Sequence, residues 1–452
     1  MAFGPIPARC RMNATRESWR LAWPLILSNL SVPLLGIVDT AVVGHLDSPR
    51  YLGGVALGAL VMSVLYWLFG FLRMGTTALT AQAYGAGDGD ETRAALGRAM
   101  LLALGLGLGV VLAGPLVLAL SERLFAPTPE VAAEFERYVA IRLFGAPAAL
   151  ANMVVLGWLL GLQDSRRPLL LMIATNGINA ALAILLVLVL GLATPGVASA
   201  TVIAEYSGLA LGLWLLYPGW RRLGGWPGWR TLMIGHRFRR LLAVNRDLFL
   251  RSLMLEAAFL AFAAIGSRQG EIVLAANAVL MNFFTAAAYG LDAFAHAAEA
   301  MVGRAVGAGN RPGFRAAVRA SFANAALLAL AMTLAFAALG GWGVRLMTGL
   351  PEVRAQAMAF LPYIVALPLA SVWAFVFDGV YFGATRTAEL RNGMAVSLAL
   401  FAAIAVVLVP LLGNHGLWLS LLLFLAARAL VLGLIYRRIE RIAPFVPQTA
   451  PA

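Results

Sequence analysis

The chain has no lysine; all 34 of its basic residues are arginine. That excludes a phosphate-binding P-loop, which needs a lysine, and Schiff-base chemistry on a lysine amine. It has one cysteine, Cys10, so neither an intrachain disulfide nor a thiolate metal cluster can form. Its four histidines, His45, His236, His296 and His415, lie far apart without zinc-ligand spacing. Charge is scarce, at 12% of 452 residues. No nucleophile–base pair is visible and no soluble stretch is long enough for a catalytic domain, so an enzyme is not expected.

Apolar surface is what the chain has in excess. Hydrophobic residues make up 61% of it, and the mean hydropathy is +0.85. Such a composition is that of an all-α polytopic membrane protein. A bilayer core of ~30 Å takes ~20 apolar residues per helix. Twelve runs qualify: 21–44, 52–84, 94–120, 135–162, 168–190, 196–217, 241–266, 271–305, 314–340, 354–385, 390–412 and 415–436. The basic start, Arg9, Arg11, Arg16 and Arg20, precedes an apolar run too long for a cleaved signal peptide, so it reads as an anchor that stays.

The net charge of +13 could suggest nucleic acid, but the arginines are dispersed between spans and form no single basic face. They follow membrane topology instead. Arg93, Arg98, Arg166, Arg167, Arg221, Arg222, Arg304, Arg311, Arg386 and Arg391 fall on one side, with Arg437, Arg438 and Arg441 at the end. The other side holds few, and carries Glu130, Glu134 and Glu136. By the positive-inside rule both termini are cytoplasmic. The basic break Tyr217–Arg240 divides the chain into a six-helix lobe (1–220), a cytoplasmic linker (221–240) and a second six-helix lobe (241–452). The lobes read as pseudo-symmetric. Residues 56–87 lie without a gap on 278–309, and the match runs on through Gly85/Gly307, Gly87/Gly309, Arg93/Arg315 and Ala95/Ala317. An even number of helices per repeat makes the repeats parallel.

The polar residues inside the spans are the candidates for function, since intramembrane charges are costly. Asp39 leads, in the outer half of the first helix, with Pro24 and Pro33 before it to permit bending. A carboxyl so placed can exchange a proton as its surroundings change; a fixed polar network is the other reading. Asn176 and Asn179 share a face of the fifth helix and could ligate a cation, bond Asp39, or simply join helices. Glu205 in the sixth helix could assist a proton or pair within its lobe. In the second half, Glu256 is mid-helix. Asp292, His296 and Glu299 fall on one ~60° stripe, as a proton relay or as a structural network. Asp378 faces Tyr381; Arg386 and Glu389 suit an ion pair; Arg73 and Arg428 suit snorkelling to the headgroups.

At the strings NLSVPLLGIVDTAVVGHL, WLFGFLRMGTTALTAQAYGAG, GLQDSRRPL, ATVIAEY, AANAVLMNFFTAAAYGLDAFAHAAEAMVG and FDGVYFGATRTAELRNGM the chain resembles multidrug and toxic compound extrusion (MATE) transporters of the DinF-like branch. The resemblance implies two six-helix lobes around a cavity in a bacterial inner membrane. It also implies cation-coupled antiport of amphipathic, often cationic drugs or toxic compounds, without a bound cofactor. It makes Asp39 the leading coupling residue and maps second-lobe acids onto Glu256 and Asp378. Relatives carry N-x-x-N-x-x-x-D in the fifth helix. Here Asn176 and Asn179 match, but the acidic position is Ala183. Sodium favours a carboxylate among several oxygens, so protons are the expected coupling ion and Na⁺ the alternative, with Asn179 as a partner of Asp39. Lipids surround what is expected to be a monomer. A flippase for a lipid-linked precursor is the competing reading. It is disfavoured because an anionic cargo needs cations and the mid-span charges read as mostly acidic.

Overall fold

The computed structural model describes residues 14–442; Arg9, Cys10 and Arg11 lie outside them, and of the side chains of Pro33, Arg438 and Arg441 nothing is described. The described chain is helical throughout. In order run α1 (Ala14–Gly44), α2 (Pro49–Leu68), α3 (Phe71–Gly85), α4 (Gly89–Leu112), α5 (Gly114–Phe125), α6 (Pro129–Leu143), α7 (Ala146–Gly161) and α8 (Arg166–Ala183). A π-helical turn (Ile184–Val189) extends α8. Then follow α9 (Ala193–Arg222), α10 (Trp229–Leu232), α11 (Gly235–Ser267), α12 (Glu271–Gly307), α13 (Arg311–Met347), α14 (Pro351–Gly383), α15 (Thr387–Leu412) and α16 (Asn414–Ile442). Ten helical stretches among the described residues are long and apolar enough to cross a bilayer, and α6 with α7, bent by 51°, makes an eleventh. With the 31-residue α1 the twelve expected spans are accounted for approximately. Three expected continuous runs are broken, each where glycine or proline interrupts the backbone ladder. The second breaks at Gly70, the third at Gly114-Pro115, and the fourth at Gly145-Ala146-Pro147.

Two compact units divide the chain. One holds Pro24–Tyr84 and Asp88–Asn245. In it α2 lies against α6 because Gly54 and Gly58 have no side chains. A Cβ at residue 54 would stand 2.9 Å from the Phe135 nitrogen, and one at 58 would strike the Tyr138 ring. Of Gly105, Gly107 and Gly109, Gly107 alone makes such a close approach, to Pro147. The segment 221–240 folds onto α4. Buried Arg93 donates to the Gly225 carbonyl at 2.8 Å, and buried Arg98 to that of Thr231 at 3.1 Å. Arg98 and Arg237 both bind Glu91.

The other unit holds residues up to Trp23, Gly85–Gly87 and everything from Arg246. The start of α1 is fixed there by Glu17 on Arg304 at 2.9 Å and by Trp19 edge-on to Phe294, with ring centroids 4.9 Å apart. Helices α12 and α14 touch backbone to backbone. Gly379 sits on the Ala295 carbonyl and Gly383 on that of Glu299, a small-xxx-small crossing. Trp418 and Asn414 close on Asn277, with Trp418 Nε1 donating to its amide oxygen at 2.8 Å.

The two turns of the sequence repeat match in detail. Gly87 and Gly309 both take positive φ, at 73° and 63°. The next residue in each case, Asp88 or Asn310, caps a helix by accepting from the backbone N–H three residues on, at 2.8 Å. Left-handed backbone favours glycine, and Asp and Asn are favoured caps.

Candidate functional site

Asp39 is half-buried, and its Oδ1 is buried without a hydrogen-bond partner. Val42 and Val43, one turn further along α1, pack with Phe135, Tyr138 and Val139 of α6. The charged group that acts on Asp39 is Arg142, in the last turn of α6. Arg142 is buried and donates from Nη1 to Glu205 Oε1 of α9 at 2.9 Å. Its guanidinium lies over the Tyr66 ring, 5.5 Å from the centroid, with the Tyr138 hydroxyl beside it. Thus α2, α6 and α9 converge on one guanidinium–carboxylate pair, whose positive charge reaches Asp39 of α1.

The expected bond from Asn179 to Asp39 is not made. Buried Asn179 turns to α9 and donates to Thr201 Oγ1 at 3.3 Å, while Asn176 donates to Ser31 Oγ at 2.9 Å. Helical spacing put both amides on one face but could not say which neighbour that face meets. Ala183 is fully buried. Of the two readings offered for Glu205, the ion pair within its own unit is the arrangement present.

The second unit has its own cluster. Asp378 of α14 takes Arg251 of α11 and Arg428 of α16 on one oxygen, Oδ2, the latter at 2.7 Å. All three side chains are buried. Asp378 therefore faces two arginines, and the expectation that it faces Tyr381 is corrected; the Tyr381 hydroxyl donates to the Leu432 carbonyl at 2.6 Å. Arg428 does not snorkel. It is 2% exposed, because a carboxylate within the bundle satisfies it better than the headgroups would. Asp292 lies within electrostatic reach of Arg428. His296 Nδ1 and Glu299 Oε2 are 3.9 Å apart, and Glu299 is fully enclosed at the α12–α14 crossing. Glu256 is half-buried and stands apart from these bonds. Arg386 and Glu389 form the expected pair at 3.4 Å. Glu134, on the side of the chain with few arginines, is buried and binds Arg137 at 3.0 Å.

Arg142 and Arg251 are the functional candidates the sequence reading missed. Both sit inside apolar runs, IRLFGAP and LFLRSLMLE, and a charge in such a run calls for a partner. Their presence also corrects the reading of mid-span charge as mostly acidic. Arg142, Arg251 and Arg428 stand among the buried groups beside Glu205, Asp378 and Glu299.

Long apolar helices that hold a few paired charges, with a repeated cap and turn, define a polytopic membrane protein of duplicated architecture. The chain belongs to the MatE family, whose model matches residues 24–185 and again 248–411. It is similar to DNA damage-inducible protein F of Escherichia coli (strain K12), being 45% identical over 428 residues, 94% of this chain and 93% of that protein. A shorter stretch, 38% identical over 100 residues, resembles the probable multidrug resistance protein NorM of Caulobacter vibrioides; it covers 22% of this chain and 20% of that one. The fold is that of a solved structure described as MATE in the bent conformation, with a TM-score of 0.86, 19% identity, and coverage of 95% of this chain and 96% of that one.

Proposed function

We propose that the chain is a secondary active exporter of amphipathic, cationic organic compounds, driven by proton antiport across a bacterial inner membrane. This reading puts both termini in the cytoplasm, and the arginine distribution supports it. The observation that carries the reading is Asp39, a carboxyl inside a spanning helix with a buried oxygen free to hold a proton. Protonation at Asp39 from outside changes the relative stability of two conformations, substrate leaves, and deprotonation inward resets the cycle. Differential stability with protonation state is all the coupling requires. The name of the Caulobacter relative supports export of drug-like cargo, and that role is extended here to this chain.

The test is uphill efflux of a cationic dye from proteoliposomes under an imposed pH gradient, comparing wild type with Asp39→Asn. Loss of uphill export in the variant is expected, while undiminished export discards Asp39 as the coupling group. The flippase reading keeps one supporting observation, the buried arginines. It is tested with a fluorescent pyrophosphate-linked lipid in the same vesicles, where transbilayer movement of that lipid and none of the dye would replace the export reading.

A further inference from the structure

The bend between α6 and α7 is built around a buried ion pair. Arg142 closes α6, Gly145 makes the bend, and Glu205 enters from α9. A Cβ at residue 145 would press on the Glu205 carboxylate, so the glycine leaves the acid room for its present position. The same stretch of α9 braces both arms of the bend. Tyr206 donates to the Phe144 carbonyl at 3.0 Å, and Asn152 of α7 donates to the Glu205 carbonyl at 2.8 Å. Yet the cluster is not saturated. Arg142 Nε, Glu205 Oε2 and Asp39 Oδ1 are all buried without a partner. The guanidinium that binds Glu205 is also the charge that bears on Asp39, without an ion-pair contact to it.

We propose that Arg142 is the resident counter-charge of Asp39 and the residue that makes this site select protons over sodium ions. The inference rests on Asp39 being the coupling group. A sodium ion needs several oxygens around a space it can fill. A guanidinium is permanently charged, offers no acceptor, and engages the Glu205 carboxylate already. It therefore uses up one ligand group and repels a second cation. A proton needs no ligand shell, because it forms a single O–H bond on Asp39 and leaves Arg142 with Glu205. When the proton departs to water, Arg142 is shared between the two carboxylates. The groups that bear on Asp39 are Arg142 and Tyr138, both from α6, while Tyr66 from α2 and Glu205 from α9 bear on Arg142. Removal of the guanidinium leaves the unpartnered Asp39 oxygen without a neighbouring positive charge and open to a cation.

The experiment compares wild type, Arg142→Lys, the charge-balanced double variant Arg142→Gln/Glu205→Gln, and Asp39→Asn. The double variant removes both members of the Arg142–Glu205 pair and leaves neither of them without the other, so it keeps the test open if a single substitution fails to fold. Dye export from proteoliposomes is driven by a pH gradient or by a sodium gradient, and binding of radioactive sodium to the purified protein is measured. Wild type is expected to export under the pH gradient, ignore the sodium gradient and bind no sodium. The double variant should lose ~10-fold or more of its proton-driven export and gain saturable sodium binding that Asp39→Asn abolishes. Arg142→Lys should keep proton drive. The inference is overturned if the double variant behaves as wild type, if it loses export without binding sodium, or if sodium drives export while Arg142 is intact. Uphill export by Asp39→Asn overturns instead the reading on which the inference stands.

Discussion

Replacing Asp378 by asparagine would leave two buried guanidiniums facing each other. Arg251 is 6% exposed and Arg428 2%, so neither charge can be relieved by water. Losing one partner of a buried ion pair costs ~3–5 kcal/mol. Here two cations lose their shared carboxylate at once, which puts the cost in the upper half of that range, roughly three powers of ten in the folding equilibrium. The contrast is the triple variant Arg251→Met/Asp378→Leu/Arg428→Met. It removes every charge and fills the same space, and it is expected to be neutral or up to a few kcal/mol more stable. Far-UV circular dichroism during unfolding of the detergent-solubilised protein by dodecyl sulfate reads both. An Asp378→Asn protein as stable as wild type would refute the reasoning. The triple variant, reconstituted, should also export dye under a pH gradient in proportion to its folded fraction. Loss of export with stability intact would mean that Asp378 carries coupling and does not only hold arginines.

Two further outcomes follow from the same geometry. Arg93→Ala removes the anchor of the 221–240 segment on the Gly225 carbonyl. Trypsin should then cut after Arg230 about 5–30-fold faster, the equivalent of ~1–2 kcal/mol of local opening; an unchanged rate would mean that Arg98 and Arg237 hold the segment alone. Trp418→Phe keeps the ring packing against Phe262 but loses the donor to Asn277. Its unfolding midpoint should fall by the equivalent of ~1–2 kcal/mol, whereas a wild-type midpoint would show that the Asn277–Asn414 exchange satisfies both amides without it.

The spans were legible because a bilayer judges each helix separately. Backbone groups must be satisfied within the segment, so length and apolarity suffice to mark it. The repeat was legible for a similar local reason. Gly87 and Gly309 answer to backbone conformation, and Asp88 and Asn310 to exposed helix N–H groups, so the residue types recur wherever the turn recurs. The break at Gly145 was signalled too, by the glycine and Pro147 together, but a hydropathy window averages over both.

The partners of the buried charges were not legible. Glu205 meets Arg142 across 63 residues of chain, and Asp378 meets Arg251 across 127. Nothing in the local pattern of either acid records those distances. The amino-acid sequence by itself determined the helical class, the duplicated plan and the carboxyls that have to be accounted for inside a membrane. Only the tertiary structure decided that Asp378 is held by two arginines while Asp39 keeps an unpartnered oxygen. Apolar burial is a property of one segment against its solvent, whereas the pairing of charges depends on which helix faces come together.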